Sequence, residues 1–187
     1  MNIIYWNKIG KDMAQRKKFL FKIVVVGDGG IGKSTMIQRL ITGKYIAQKI
    51  TIGTDLASYS VNLSDLDVRL QIWDFAGEKR FRFFLPNYSR GAHGCLLCYD
   101  LTRYSSFEHL SEWYNIVHDN SNPLFILIGE KYDLAPIKRT VSQKEAEEFQ
   151  QEYDIPYFYE TSSKSGFNNE VIFQELTQAI LEKRNLL

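Results

Sequence analysis

The stretch FKIVVVGDGGIGKS, residues 21–34, decides the fold of this chain. Its first six residues are mostly β-branched and apolar, which favours a buried strand. The remaining eight fit the pattern G-x-x-x-x-G-K-[ST] at every fixed position. Glycines in this pattern let consecutive backbone N–H groups wrap a phosphate, and the helix that follows directs its N-terminus at the same anion. An ordinary glycine-rich turn would not need both flanking elements. The stretch therefore predicts a phosphate-binding loop.

Two side chains at the end of this loop carry specific chemistry. Lys33 supplies a point charge for the β- and γ-phosphates of a nucleotide, and the Ser34 hydroxyl can coordinate Mg²⁺. The pattern alone selects neither the base nor the reaction.

Composition and charge exclude several classes of protein. The chain has 187 residues, of which 44% are hydrophobic and 24% charged, as expected for one soluble domain. Its formal charge of +1 argues against broad nucleic-acid binding. No apolar run approaches the length of a membrane span, and no secretory signal is visible. Cys95 and Cys98 are predicted to face opposite sides of a strand, so we expect two free thiols in a reducing, intracellular setting.

The chain divides into a leader, residues 1–18, and a folded domain, residues 19–187. The leader mixes apolar and basic residues at helical spacing, so it could lie as a short helix on an acidic membrane. A frayed, solvated terminus is the simpler interpretation, and we favour it.

Strand-like and helical patterns alternate along the folded domain. The pattern predicts an α/β fold of the P-loop NTPase type, with a mainly parallel six-stranded sheet and helices on both faces. The strands are expected at residues 21–26, 55–62, 68–74, 94–99, 124–128 and 156–160, the second and third forming a hairpin through a turn at 64–67. Capping boxes are predicted at Ser105-x-x-Glu108 and at Ser142-x-x-Glu145.

Three later stretches narrow the chemistry. Thr51 offers a loop hydroxyl that can reach Mg²⁺. Asp74 stands at a strand end, where an acid can hold Mg²⁺, and the Gly77 N–H three residues later can sense a third phosphate. Lys131 and Asp133 follow a buried strand, at the edge where open α/β sheets bind ligands. A carboxylate there can accept two N–H hydrogen bonds from one edge of a base.

Together these motifs resemble the Ras superfamily of small GTPases, and most closely its Rab branch. The resemblance covers about residues 19–181 and implies a GTP-binding switch of the signalling or vesicle-trafficking type, which hydrolyses GTP slowly. It implies Mg²⁺ and GTP or GDP as bound groups, and an exchange factor, a GTPase-activating protein and effectors as partners. The branch is indicated by residues 51–55 (TIGTD), 70–74 (LQIWD), 88–92 (YSRGA), 99–102 (YDLT) and 160–164 (ETSSK).

The resemblance also assigns roles to individual residues. It implies that Tyr45 stacks on guanine, that Asp133 reads the guanine N1 and N2 donors, and that the Ser163 N–H meets O6. The implied metal ligands are Ser34, Thr51 and Asp74, and the implied catalytic residues are Lys33, Thr51 and Glu78. The whole implied nucleotide site comprises Gly29, Gly30, Ile31, Gly32, Lys33, Ser34, Thr35, Tyr45, Thr51, Gly77, Glu130, Lys131, Asp133, Ser162, Ser163 and Lys164.

Glu130 and Glu78 depart from the family pattern. The family usually has Asn at the position of Glu130, and an ionised carboxylate only accepts hydrogen bonds. Glu130 therefore cannot donate to the acceptor N7 of guanine unless it is protonated, and we expect weaker affinity. The family usually has Gln at the position of Glu78, where it orients the attacking water. Glu78 either holds that water or is repelled by the γ-phosphate, and the sequence leaves both possibilities open.

The second switch region departs as well. Phe75 replaces a small polar residue, and the apolar loop that it begins is either tucked under the sheet or presented to a partner. The other apolar residues of this loop are Phe81, Phe83, Phe84 and Leu85.

Other functions and the cellular setting follow as expectations. A pseudo-GTPase that holds guanine nucleotide with little hydrolysis is the main alternative, and a P-loop kinase or ATPase is a weaker one. We expect a monomer that binds no nucleic acid. No cysteine for a lipid anchor is present at the C-terminal end of the sequence, which leaves three alternatives: the tail was trimmed, the protein reaches membranes another way, or it does not go there. We expect a cytoplasmic protein, with peripheral membrane association left open.

Overall fold

A computed structural model describes residues 16–63 and 66–187 of the chain. The strands are β1 Lys17–Val26, β2 Thr54–Leu63, β3 Leu66–Phe75, β4 Gly94–Asp100, β5 Leu124–Glu130 and β6 Tyr157–Glu160. The α-helices are α1 Lys33–Thr42, α2 Leu85–Ser89, α3 Tyr104–Glu108, α4 Leu110–Ser121, α5 Ala135–Lys138, α6 Gln143–Glu152 and α7 Asn169–Lys183. Short 3₁₀ helices cover Lys79–Phe84 and Tyr132–Leu134.

The strands form a six-stranded sheet in the order β2-β3-β1-β4-β5-β6. β2 runs antiparallel to β3, and every other neighbouring pair is parallel. The predicted fold class is therefore confirmed. The register pairs Val25 with Asp74 and Val26 with Leu97, so β1, β3 and β4 end at the same edge of the sheet. In open α/β sheets this carboxyl edge is where ligands bind.

Helices cover both faces of the sheet and bury a separate apolar cluster on each side. One cluster packs α1 and α7 against the sheet, and the other packs α2, α4 and α6 against the opposite face. Cys98 belongs to the first cluster and Cys95 to the second, and both thiols are free. The prediction that the two cysteines face opposite sides is thus confirmed. Burial raises the pKa of both thiols, which keeps them protonated and unreactive.

The first strand is longer than predicted. It begins at Lys17, because residues 17–20 pair with residues 66–69 of β3 and extend the ladder beyond the apolar run. The predicted leader falls mostly on residues 1–15, which lie outside the described part of the chain, as do Ser64 and Asp65 of the predicted turn. Within residues 16–63 and 66–187, no helix has the length and apolar character that crossing a bilayer requires.

One of the two predicted capping boxes is wrong. α3 begins at Tyr104 after the N-cap Arg103, so Ser105 lies inside the helix. The neighbouring Ser106 hydroxyl instead accepts from the Asp100 N–H at 3.0 Å and donates to the Arg103 carbonyl at 2.7 Å. This tertiary contact with β4 sets where the helix begins. The second box is confirmed: Ser142 Oγ accepts from the N–H of Glu145, whose carboxylate accepts from the N–H of Ser142.

Candidate functional site

A cavity of about 450 Å³ opens at the carboxyl edge of the sheet. This volume falls in the range of small-molecule sites. The lining brings together most of the nucleotide-site residues expected from the sequence: Gly29, Gly30, Gly32, Lys33, Ser34, Thr35, Tyr45, Thr51, Gly77, Glu130, Lys131, Asp133, Ser163 and Lys164. Glu78 lines it too, whereas Ile31 and Ser162 are buried beside it and contribute no surface to the cavity.

The phosphate-binding loop is packed so tightly that its first residue, Gly27, and its neighbour Gly77 must both be glycine. A Cβ on Gly27 would lie 2.1 Å from the Cys98 carbonyl oxygen, and a Cβ on Gly77 would lie 2.0 Å from the Gly29 nitrogen. Both distances are impossible for a larger residue. Gly32 precedes α1 and supplies no side-chain cap, so the first N–H groups of this helix remain available for an anion at its positive end.

Lys33 is buried at the centre of this loop. Its Nζ atom donates to the carbonyl oxygens of Gly27 at 2.7 Å and Asp28 at 2.8 Å. Burial lowers the pKa of the Lys33 amine, while the carboxylate of Asp74 raises it. The ammonium group is thus held close to the position where the loop would place a phosphate.

Three oxygen ligands converge beside Lys33. The Ser34 hydroxyl donates to Asp74 Oδ2, and Thr51 Oγ1 lies 2.7 Å from Ser34 Oγ and 3.5 Å from Asp74 Oδ2. Burial raises the pKa of Asp74, whose second oxygen, Oδ1, is buried without a hydrogen-bond partner among the described residues. Two hydroxyls and a carboxylate are the hard oxygen donors that Mg²⁺ prefers, and a bound cation would give the unpaired Asp74 Oδ1 atom a partner. The residues present therefore fit a Mg²⁺ ion.

The other end of the cavity is organised by Lys131 and Asp133. Lys131 Nζ forms a 2.6 Å ion pair with Asp100 Oδ2 and donates to the Gly30 carbonyl at 3.0 Å. Asp133 accepts from the Ser162 hydroxyl at 2.6 Å, which fixes the orientation of its carboxylate. The sequence alone assigned no role to Asp100, although the YDLT motif that contains it could have pointed to this residue.

Glu130 is the most deeply buried acid of the site, with 1% of its surface exposed. It accepts hydrogen bonds from the Lys131 backbone N–H and from Ser163 Oγ, the latter 3.3 Å from Oε2. Burial raises the pKa of Glu130 to about 8, against an ordinary value of 4.5. At pH 7 the group is therefore mainly a neutral carboxylic acid.

Glu78 lies at the mouth of the cavity and pairs with Arg80 across 2.7 Å. Arg82, two residues later, is buried instead. Its guanidinium pairs with Asp28 of the phosphate-binding loop at 3.2 Å and with Glu112, and it stacks 4.2 Å above the Trp113 ring. Arg82 is thus fixed between the loop and α4.

Asp28 collects two further donors from the helical side. His109 Nδ1 lies 2.7 Å from Asp28 Oδ2, and Trp113 Nε1 donates to Asp28 Oδ1 at 3.0 Å. Sequence reasoning missed this cluster, because Arg82, His109 and Trp113 lie 54, 81 and 85 positions from Asp28 in the chain. Asp28 therefore joins the phosphate-binding loop to both the second switch region and α4.

The apolar loop after β3 is partly buried and partly exposed, so it combines the two arrangements that the sequence left open. Phe75 and Leu85 are tucked into the core. Phe83 is 68% exposed and packs against Phe84, with the ring centroids 3.8 Å apart and the rings tilted by 33°. Part of the loop therefore anchors it, and part is presented at the surface.

Known proteins similar in sequence to this chain identify its family. The model of the Ras family matches residues 22–182. The chain belongs to the Ras family. Its Rab-branch character is supported by the Ypt/Rab-type GTPase YPT7 of Saccharomyces cerevisiae, which is 37% identical over 91% of this chain and 86% of its own length. Ras-related protein Rab-30 of Homo sapiens is 39% identical over 88% of this chain and 82% of its own length.

A plant relative gives the same result. Ras-related protein RABD2b of Arabidopsis thaliana is 39% identical over 87% of this chain and 81% of its own length. This Ras-family chain is therefore a Rab-type GTP-binding switch of membrane trafficking or signalling, with GTPase activity that yields GDP and phosphate. Ras-family GTPases bind guanine nucleotide and typically Mg²⁺, and they act with exchange factors, GTPase-activating proteins and effectors.

Proposed function

We propose that this chain binds GTP and GDP with Mg²⁺ in the 450 Å³ cavity and switches its loops between the two states. The observation that carries the proposal is the placement of opposite chemistries at the two ends of one cavity. Lys33 and the oxygens of Ser34, Thr51 and Asp74 lie at one end, and Asp133 lies at the other. A nucleotide needs this arrangement, because its phosphates and its base are recognised by different groups.

At the phosphate end, backbone N–H groups of the loop would wrap the β-phosphate, with Lys33 between the β- and γ-phosphates. The Ser34 hydroxyl would stay on the metal in both states, and Thr51 would reach it only when GTP is bound. Asp74 would hold the metal through water, and the Gly77 N–H would bond the γ-phosphate. When bound, Mg²⁺ supplies positive charge that neutralises the phosphate oxygens.

At the base end, Asp133 would accept hydrogen bonds from guanine N1 and N2. The Ser162 hydroxyl holds Asp133 in place, the Ser163 N–H would meet O6, and Lys131 would lie along one face of the base. Tyr45, which is half exposed at the cavity wall, would pack against the ring. Adenine offers an acceptor at N1 and no donor at C2, so it would leave Asp133 unpaired and be rejected strongly.

Hydrolysis would be slow and would depend on Glu78. The pair with Arg80 offsets part of the charge that would repel Glu78 from the γ-phosphate, which favours a role in holding the attacking water. Arg82 is committed to Asp28 and Glu112, so it is not available as an arginine finger in the state described. Rapid turnover would therefore require a group from a GTPase-activating protein.

Partner proteins would bind the two loops that border the cavity, residues 49–55 and 75–90. Ile50, Ile52 and Phe83 are mostly exposed on these loops and offer apolar contacts that change when the γ-phosphate orders the segment. We infer that an exchange factor, a GTPase-activating protein and effectors bind here, and that the chain acts as a monomer. Peripheral attachment to a membrane belongs to the same proposal, as suits a Rab-type switch.

A nucleotide-exchange assay tests the proposal. The protein is stripped of nucleotide and titrated with GTP, GDP and ATP, with and without Mg²⁺. We expect tight binding of both guanine nucleotides, strengthened by Mg²⁺, and no measurable binding of ATP. Equal affinity for ATP and GTP would overturn the guanine assignment. Single-turnover phosphate release then separates a slow GTPase from a protein that only holds the nucleotide.

A further inference from the structure

We propose that Glu130 acts as a neutral carboxylic acid whose O–H donates to an acceptor on the bound base, so that the site releases nucleotide faster when this proton is lost. The inference rests on the proposed function, because it needs a nucleotide in the cavity. It assigns to Glu130 a hydrogen-bond donor role that an ionised glutamate could not perform.

The position of the carboxyl group is the first support. Glu130 is the last residue of β5, it lines the cavity, and almost none of its surface reaches solvent. Its Oε2 atom lies 3.2 Å from the place where a Cβ would sit on Gly32. The carboxyl group is therefore wedged between the phosphate-binding loop and Ser163, which follows β6, with the cavity as its remaining open side.

The absence of an ion pair is the second support. Among the described residues Glu130 forms no salt bridge; the Lys131 ammonium, whose charge lowers the pKa of Glu130, is itself paired with Asp100 Oδ2 at 2.6 Å. From β4, Asp100 opposes ionisation of Glu130, and the Cys98 thiol stays neutral. Three further charged groups lie around the cavity. Lys33 of α1 is hydrogen-bonded to the carbonyl oxygens of Gly27 and Asp28. Asp133 follows β5, and Lys164, which follows β6, lies 4.0 Å from it.

These surroundings decide the protonation state. Burial raises the pKa of Glu130 to about 8, although the hydrogen bonds from Lys131 N–H and Ser163 work in the opposite direction. Within the part of the chain that the structure describes, two donors reach the carboxyl oxygens, so a buried negative charge would remain poorly compensated. Near neutral pH the group keeps its proton.

The protonated acid has one donor to offer and one open side on which to offer it. Guanine presents two acceptors on this type of edge, N7 and O6. In the proposed pose O6 is bound by the Ser163 N–H, so the Glu130 O–H is left for N7. Loss of the proton would replace an O–H···N hydrogen bond with a carboxylate facing a lone pair, which is repulsive.

The test compares release of a fluorescent GDP analogue from the wild type and from Glu130→Gln between pH 6 and pH 9.5, at constant Mg²⁺. The amide of glutamine is neutral at every pH and retains donors of similar reach. We expect wild-type release to accelerate about tenfold as the pH rises, with a midpoint at or above the Glu130 pKa of about 8. Glu130→Gln should match the wild type at pH 6. The two release rates are compared as a ratio at each pH, because any effect of titrating the nucleotide itself is common to both proteins and cancels.

Glu152→Gln is the matched control, because Glu152 is an exposed acid on α6 that does not line the cavity. It should follow the wild-type profile. A rate ratio between wild type and Glu130→Gln that stays constant across the range would overturn the inference while leaving guanine binding intact. Failure of the wild type to bind GDP even at pH 6 would overturn the proposed function and this inference with it.

Infrared spectroscopy gives a second readout that does not depend on the variant keeping its affinity. The wild-type protein is prepared with carbon-13 glutamate, which labels Glu130 along with the other glutamates, and is loaded with GDP. We expect a carboxylic acid C=O band at pH 7 that disappears at alkaline pH. The band is assigned by its absence from Glu130→Gln or, if that variant fails to fold, from Glu130→Asp, in which labelled glutamate is replaced. Absence of any buried carboxylic acid band at pH 7 would overturn the inference.

Discussion

Arg80 Nε lies 2.7 Å from Glu78 Oε2, so the acid at the mouth of the cavity carries its own counter-ion. An exposed ion pair of this kind adds little stability, but it lowers the charge that Glu78 would bring to the γ-phosphate. The pair therefore bears on hydrolysis more than on folding.

Replacing Glu78 by alanine should slow single-turnover hydrolysis about tenfold or more and leave GTP affinity nearly unchanged. A group that acts only in the transition state changes the rate and not the ground-state binding. Phosphate release is measured with both proteins saturated with GTP. Glu78→Gln serves as the control, because its amide can still hold water. A rate equal to that of the wild type in Glu78→Ala would remove Glu78 from the catalytic residues.

Changing Ser34 to asparagine should abolish the advantage that Mg²⁺ gives to GTP over GDP. The hydroxyl is a metal ligand in the proposed site, and the triphosphate depends more on the ion than the diphosphate does. GTP and GDP affinities are measured at low and at saturating Mg²⁺. Ser111→Asn on α4, outside the cavity lining, is the control. Full retention of GTP affinity at low Mg²⁺ would exclude Ser34 as a ligand.

Exchanging Asp133 for asparagine should shift the preference of the site from guanine towards xanthine nucleotides. Xanthine has a carbonyl where guanine has its amino group, so it complements an amide better than a carboxylate. Competition between XTP and GTP measures the shift. Asp119→Asn, on the exposed side of α4, should leave the preference unchanged. A variant that still prefers guanine as strongly as the wild type contradicts the assignment of Asp133.

Truncating Arg82 to alanine should destabilise the fold by about 1–3 kcal/mol, because it removes a largely buried ion pair from Asp28, which keeps its contacts with His109 and Trp113. The free energy of unfolding is measured by urea denaturation. Arg80→Ala is the matched control, since its side chain is 68% exposed and its loss should cost less than about 1 kcal/mol. Similar losses in the two variants would mean that the Asp28–Arg82 contact contributes nothing specific.

Glu130 makes the stability of the folded protein depend on pH. Its ordinary pKa is 4.5 and burial raises it to about 8, so the folded state holds a proton that the unfolded chain releases between these values. The free energy of unfolding should therefore fall as pH rises from about 4.5 to about 8, by up to roughly 1.4 kcal/mol per pH unit from this group. Denaturation across this window should show a shallower decline in Glu130→Gln. Parallel pH profiles for the two proteins would mean that Glu130 is ionised in the fold.

The sequence predicted the features that local patterns encode. The apolar run before Gly27 and the spacing up to Ser34 gave the strand, the phosphate-binding loop and the start of α1. The alternation of strands and helices gave the parallel sheet, and the family resemblance suggested the residues that the cavity brings together.

The remaining features depend on contacts between distant parts of the chain. The Arg82–Asp28 pair spans 54 positions, and no local pattern indicates it. The neutral state of Glu130 follows from burial and from the engagement of Lys131 with Asp100, neither of which can be read from residue types. The misplaced capping box at Ser105 has the same origin, because the bond between Ser106 and β4 determines the first turn of α3.

The Lys131 ammonium group connects the two ends of the cavity, since it contacts the Gly30 carbonyl in the phosphate-binding loop and Asp100 at the end of β4. One side chain thus orders the segments that would hold the phosphates and the base. Whichever half of a nucleotide binds first would therefore reduce the conformational entropy that the second half must lose. Guanosine and pyrophosphate would bind with positive cooperativity, and a partner that pulled Lys131 away would loosen both ends at once.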